Sequence, residues 1–231
     1  MIRWLSDLFL MSMIKTTLAE QAYQELRARI IGGKLAGGTR LLPNELAADL
    51  GISPTPVKEA CLRLEADGLV VATARRSMAV RSFTEADVEA LYAARILIEK
   101  GALEAAFEAG HVDAALKARL AESLEGHRAY ADGTSLDDLA RALSYDRAFH
   151  SALVEASGIA LIVETHARIL GQTHTLFVSV PGEYDRSVSE HRAILCAIEA
   201  DDQGQAVATL LAHLKRSREN TLRQVRLMAP A

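Results

Sequence analysis

Four residues in the second half of the chain carry the donor types of a metal site. Asp146 and His150 stand four apart on the stripe Leu139, Leu143, Asp146, His150, Leu153, so both face the apolar side of one helix. His191 shares a face with Ile194, Leu195 and Ile198, and His213 shares one with Ala206, Leu210 and Ser217. Any one of these histidines alone reads as a hydrogen-bonded core residue. One carboxylate and three imidazoles aimed inward from three helices are expensive as bare burial, and a divalent cation removes that cost. The donor set suits Zn²⁺, Ni²⁺, Mn²⁺ or Fe²⁺, with Zn²⁺ favoured. Such a site keeps a net positive charge and open positions, so a small carboxylate is its natural complement. Arg95 lies on the stripe Val88, Leu91, Ile98, Ala102 and can clamp that carboxylate; it can also pair with Glu99 one turn on, and both can hold together. Ser217 and Asn220 are further candidates for the cavity, whereas His166 and His174 read as core histidines.

A second polar group lies in the first third. Ser53 and Thr55 open a helix with small hydroxylated side chains, and Lys58 follows one turn later, within reach of a phosphate or a guanine edge. Arg40 and Asn44 precede them, and Arg75 and Arg76 fall between two β-prone segments where a wing meets a DNA backbone or minor groove. Cys61 shares the stripe of Val57 and Leu64 and reads as core rather than as a reactive thiol.

The elements that position these groups divide the chain in two. It has 231 residues, half of them hydrophobic and 5% aromatic, which excludes disorder and disfavours an all-β fold. Two cysteines, Cys61 and Cys196, cannot build a disulfide framework, so the cytosol is the expected compartment. Residues 1–13 are apolar but short and broken by Asp7; they read as an N-terminal extension or loosely docked arm rather than a membrane anchor, and no membrane partner is expected. Residues 14–82 read as helix (17–31), turn (34–43), helix (44–50), tight turn at Gly51-Ile52, helix (53–66) and hairpin (69–73 with 77–82). That is the order of a winged helix-turn-helix. Residues 83–231 read as six helices alone: one capped by Thr84 and Asp87, then 113–130, 135–157, 159–180, 186–200 and 203–227, an all-α bundle. The net charge of −4 splits into +3 over 14–82 and −7 over 83–231, so an acidic total conceals a basic module.

The segment LAADLGISPTPVKEACLRLEADGLV, residues 46–70, resembles the DNA-binding domain of GntR-type transcriptional regulators. Asp146-x3-His150, Glu190-His191 before Arg-Ala-Ile-Leu, and His213-Leu214 are similar to the FCD effector domain of the FadR-type subfamily, over about residues 84–222. The resemblance implies metal ligation by these four positions, Arg95 in an effector cavity, double-stranded operator DNA as partner, and a homodimer. Pro54 and Lys58 stand where relatives often have Arg, and Ser77 where the wing usually has Gly. The operator of relatives therefore does not transfer directly. Ile159 replaces the Asn common after Ser-Gly, which bears on a local helix cap and not on the ligands. The expected function is a transcriptional regulator whose operator affinity is set by a small carboxylate at a metal site. The alternative is a metal-dependent hydrolase or oxygenase acting on a small organic acid. It lacks a nominated base or nucleophile, and no Gly-rich phosphate loop, H-E-x-x-H or G-x-S-x-G occurs. A DNA-binding architectural protein would leave the inward Asp/His set unexplained.

Overall fold

The computed structural model describes residues 17–73, 77–133, 135–178 and 184–228. Residues 1–13, Arg75 and Arg76 lie outside the described residues.

The N-terminal part begins with α1 (Leu18–Ile31), capped by Thr17, whose side chain accepts from the Glu20 amide at 3.1 Å. Strand β1 (Arg40–Leu41), α2 (Pro43–Leu50), α3 (Pro54–Ala66), β2 (Val70–Thr73) and β3 (Ser77–Val80) follow. Gly51, at φ 68°, ends α2 in the left-handed region and turns the chain into α3. Leu26, Ile30, Val57, Cys61, Leu64, Val70 and Val80 close one apolar core. The sequence expects a turn across 34–43 and a two-stranded hairpin; the sheet instead has three strands, in the order β1-β3-β2, both pairs antiparallel. Arg40 pairs with Ala79 and Leu41 with Met78, which covers the free edge of β3 while burying Leu41 in the core. A two-residue strand is too short to show a period of two, so alternation gave no sign of it.

The C-terminal part is helical throughout: α4 (Glu85–Glu108), α5 (Ala114–Tyr130), α6 (Leu136–Glu155), α7 (Ala160–Val178), α8 (Tyr184–Glu199) and α9 (Gln203–Met228). Capping boxes at Thr84/Asp87 and Ser135/Asp138 start α4 and α6, and Asp113 caps α5. Helix α5 packs on α6, and α9 packs on both α4 and α8, around a second core that includes Leu120, Leu124, Phe149, Leu153, Ile194, Ile198, Leu210 and Leu214. Among the described residues, the links between the parts include an ion pair and a hydrogen bond, beside the packing of α1 against α7. Arg81, just after β3, pairs with Asp87 of the α4 capping box at 2.6 Å, and Gln172 on α7 donates to the Asp67 carbonyl at 3.1 Å. Among the described residues no helix is long and apolar enough to cross a membrane.

Candidate metal and effector centre

Helices α6, α8 and α9 deliver His150, His191 and His213 to one buried point. Their Nε2 atoms form a triangle with sides of 3.2 Å (150–191), 3.3 Å (191–213) and 3.2 Å (150–213). His150 Nδ1 faces Glu99 Oε2 at 2.7 Å, and His213 Nδ1 faces Glu190 Oε2 at 2.8 Å; Glu190 also pairs with Arg216. An ionised carboxylate only accepts, so these two rings carry their protons on Nδ1 and turn Nε2 lone pairs toward each other. Lone pairs so placed repel unless a cation receives them. Nitrogens bound at about 2.0–2.1 Å to a tetrahedral ion lie about 3.3–3.4 Å apart, close to the triangle observed. The donor set therefore fits a divalent metal.

Asp146 joins less directly. Its Oδ1 lies 3.5 Å from His191 Nε2, and its Oδ2 accepts from His174 Nε2 at 3.2 Å. The four expected ligands thus resolve into a tight histidine triad and a neighbouring group, Asp146, His191 and His127, that shares His191. His127 is a residue that sequence reasoning missed. It is buried on α5, its ring 5.4 Å from that of His191, with neither ring nitrogen hydrogen-bonded. The signal was present, since His127 continues the inward stripe of Leu116, Leu120 and Leu124.

Burial pushes the pKa of His150 and His127 down and that of His191 well below its usual value, while His174 falls to about 4. Burial alone would raise Asp146, but the His174 hydrogen bond and the adjacent imidazoles outweigh it and hold the carboxyl well below its usual range. These shifts leave the four imidazoles neutral and Asp146 ionised at neutral pH, the state a metal requires.

Arg95 reaches the centre from α4, 1% exposed, with Nε 2.7 Å from Glu99 Oε1. The expected inward stripe of α4 included Ile98; Glu99 takes the fully buried position instead, and Ile98 is half-buried. Glu99 is held there by charge and hydrogen bonds, because His166 also donates to it, Nε2 to Oε1 at 3.1 Å. Arg95 keeps one nitrogen, Nη2, buried and unpartnered. Ser217 on α9 bonds the Tyr92 hydroxyl at 2.7 Å, and Asn220 is half-buried one turn along the same helix. His166 and His174 do more than fill the core, since each holds a carboxylate of the centre.

On the N-terminal part, Arg40, Asn44, Ser53, Thr55 and Lys58 are all exposed, and Arg40 lies 3.3 Å from Ser77 Oγ. Ser53 occupies the N-cap of α3 without a side-chain capping bond, which leaves its hydroxyl outward. Pro54 and Pro56 remove two amide donors from the first turn. Val57, Cys61 and Leu64 face the core, and burial pushes the Cys61 thiol up.

The comparisons with known proteins agree with this arrangement. The model of the gntR family of bacterial regulatory proteins matches residues 18–80, and that of the FCD domain matches residues 90–216. The uncharacterized HTH-type transcriptional regulator YdhC of Bacillus subtilis is 27% identical over 204 residues, covering 87% of this chain and 89% of that protein. A GntR transcriptional regulator from Rhodococcus sp. RHA1 superimposes with a TM-score of 0.78 at 24% identity, and McbR/YncC of E. coli with 0.76 at 22%. Each covers 90% of this chain and 99% of its own, and at such identity the likeness speaks to the fold. A reader of DNA followed by this domain has no place for the hydrolase or oxygenase alternative. With both models matched in chain order, the protein belongs to the GntR family of bacterial transcriptional regulators, with an FCD domain as its C-terminal part, and is a regulator rather than an enzyme.

Proposed function

We propose that His150, His191 and His213, with Asp146 as fourth donor, hold a divalent metal ion, Zn²⁺ favoured, and that a small carboxylate bound there sets the operator affinity of a homodimer. The observation that carries this reading is the triangle of Nε2 atoms, whose lone pairs converge on one buried point. When bound, the ion supplies Lewis-acid attraction for an anionic oxygen. Glu99 and Glu190 keep the protons of His150 and His213 on Nδ1 and fix both rings. The free Nη2 of Arg95 favours an anion, because a carboxylate there would satisfy a buried donor left unpaired by Glu99. Ser217 and Asn220 complete the effector set from α9. The route outward is α4: its first turn is tied through Asp87 to Arg81, next to β3, so a shift of α4 moves the reader of residues 14–82 against the bundle of 83–231. In a dimer that motion respaces two readers on their half-sites, with Arg40, Asn44, Ser53, Thr55, Lys58, Arg75 and Arg76 as the DNA-facing set.

The test is metal content. Purified full-length protein is expected to carry about one ion per chain, and His150→Ala and His213→Ala to carry background amounts. Full retention by both variants overturns the assignment.

A further inference from the structure

Helices α1 and α7 meet across a cleft of about 260 Å³, close to the lower end of small-molecule sites, about 300 Å³. Three arginines line it, one from each of three helices: Arg27 on α1, Arg147 on α6 and Arg168 on α7. Two of them converge. A Cβ on Gly171 would lie 3.9 Å from both Arg27 Nη2 and Arg147 Nη1, at ordinary van der Waals distance, so both guanidinium groups approach the same point of α7.

Elsewhere the protein pairs several of its arginines with carboxylates, as in Arg29–Glu25, Arg63–Glu20 and Arg81–Asp87. In the cleft it does not. Among the described residues, Arg27 and Arg168 make no hydrogen bond or ion pair, and Arg147 donates only to the Ala167 carbonyl, at 3.3 Å. Two carboxylates share the lining. Asp67 is engaged by the Tyr23 hydroxyl at 2.5 Å, and Glu164 lies on α7. Three cations against two carboxylates leave an excess of positive charge. Guanidinium groups crowded in this way repel unless an anion bridges them.

The geometry points to a second ligand site in this cleft, one that binds a small phosphate-bearing molecule. Three forks approaching from three helices match a group with three acceptor oxygens and nearly two negative charges better than a carboxylate with two oxygens and one charge. The phosphate is that of a free molecule and not of the operator. Helix α3 has 13 residues, about 20 Å of length, and the cleft adjoins its far end at Ala66 and Asp67, while Ser53 and Thr55 stand at its start. None of the lining residues belongs to the histidine centre, so the inference stands apart from the metal reading. A ligand here would touch α1 of the reader together with α6 and α7 of the bundle, and would fix their relative position.

Titration calorimetry on the full-length protein tests this, with inorganic phosphate against chloride at matched ionic strength. Phosphate is expected to bind the wild type, and Arg27→Met to weaken it about tenfold or more. Arg168→Ala changes an exposed side chain, is expected to fold, and should weaken binding by a smaller factor. Arg40→Ala/Lys58→Ala and His213→Ala should bind phosphate as the wild type does. The proposal falls if phosphate gives no response beyond chloride, or if a folded Arg27 or Arg168 variant retains full affinity. Loss of the response in the Arg40/Lys58 variant would place the anion on the DNA face instead, and loss in His213→Ala would place it at the histidine centre; either result overturns the cleft site.

Discussion

Three donors converge on the two oxygens of Glu99: Arg95 Nε at 2.7 Å, His150 Nδ1 at 2.7 Å and His166 Nε2 at 3.1 Å. Burial works against its charge, but Arg95 and His150 outweigh that and hold the carboxyl well below its usual range. A buried pair of this kind adds little net stability, yet removing one partner strands the other. Glu99→Gln is therefore expected to cost about 3–5 kcal/mol in urea unfolding, because Arg95 is left charged and uncompensated. It should also weaken metal binding about 10–100-fold by loosening His150. Arg95→Met/Glu99→Gln should recover part of the stability and none of the metal affinity, which separates the two roles; wild-type stability in the single variant would contradict this account of Glu99. The inward turn of Asp146, His150, His191 and His213 was legible in the sequence because each has apolar neighbours at helical spacing. That of Glu99 was not: its burial depends on one cation from its own helix, Arg95, and on imidazoles from α6 and α7, which periodicity does not register.

Helix α3 meets its surroundings differently at its two ends. Its start is exposed and poor in amide donors, since Pro54 and Pro56 supply none, so in the proposed DNA complex side chains would take over much of the phosphate contact that a helix terminus ordinarily gives. Lys58, exposed one turn in, is the cation placed to do so. Lys58→Ala should lower operator affinity and reduce the slope of log affinity against log salt by about 0.9. An unchanged slope would remove Lys58 from the phosphate contacts. Most elements could be read in advance, because Gly51, the Thr84/Asp87 cap and Gly110 mark their ends in the local sequence. Strand β1 could not. What makes Arg40–Leu41 a strand is the open edge of β3, almost forty residues later in the chain.

At the scale of the molecule, the bundle buries an unusual amount of titratable chemistry beside its apolar core, and this sets how stability depends on pH. His174 titrates at about 4 in the folded protein, and burial also lowers His127, His150 and His191. An unfolded chain takes up these protons near the ordinary histidine value of about 6.5. Between the two values the unfolded state binds more protons than the folded one, so stability is full above about 6.5 and falls as pH drops toward 4. Asp146 and Glu99 are depressed carboxylates; their contribution is present above the ordinary carboxylate range and is lost only at still lower pH, in the same direction. Acid therefore destabilises the metal-free protein in two stages, imidazoles first. In chelator-treated full-length protein, the urea midpoint should be clearly lower at about pH 5 than at about pH 7.5, a window in which imidazoles titrate and most carboxylates stay ionised. Metal should raise the midpoint at the higher pH and lose its effect at the lower one, where protons compete for the same nitrogens. A midpoint that stays level across this window would mean that the four rings accept protons without leaving the core, contrary to the burial that lowers them.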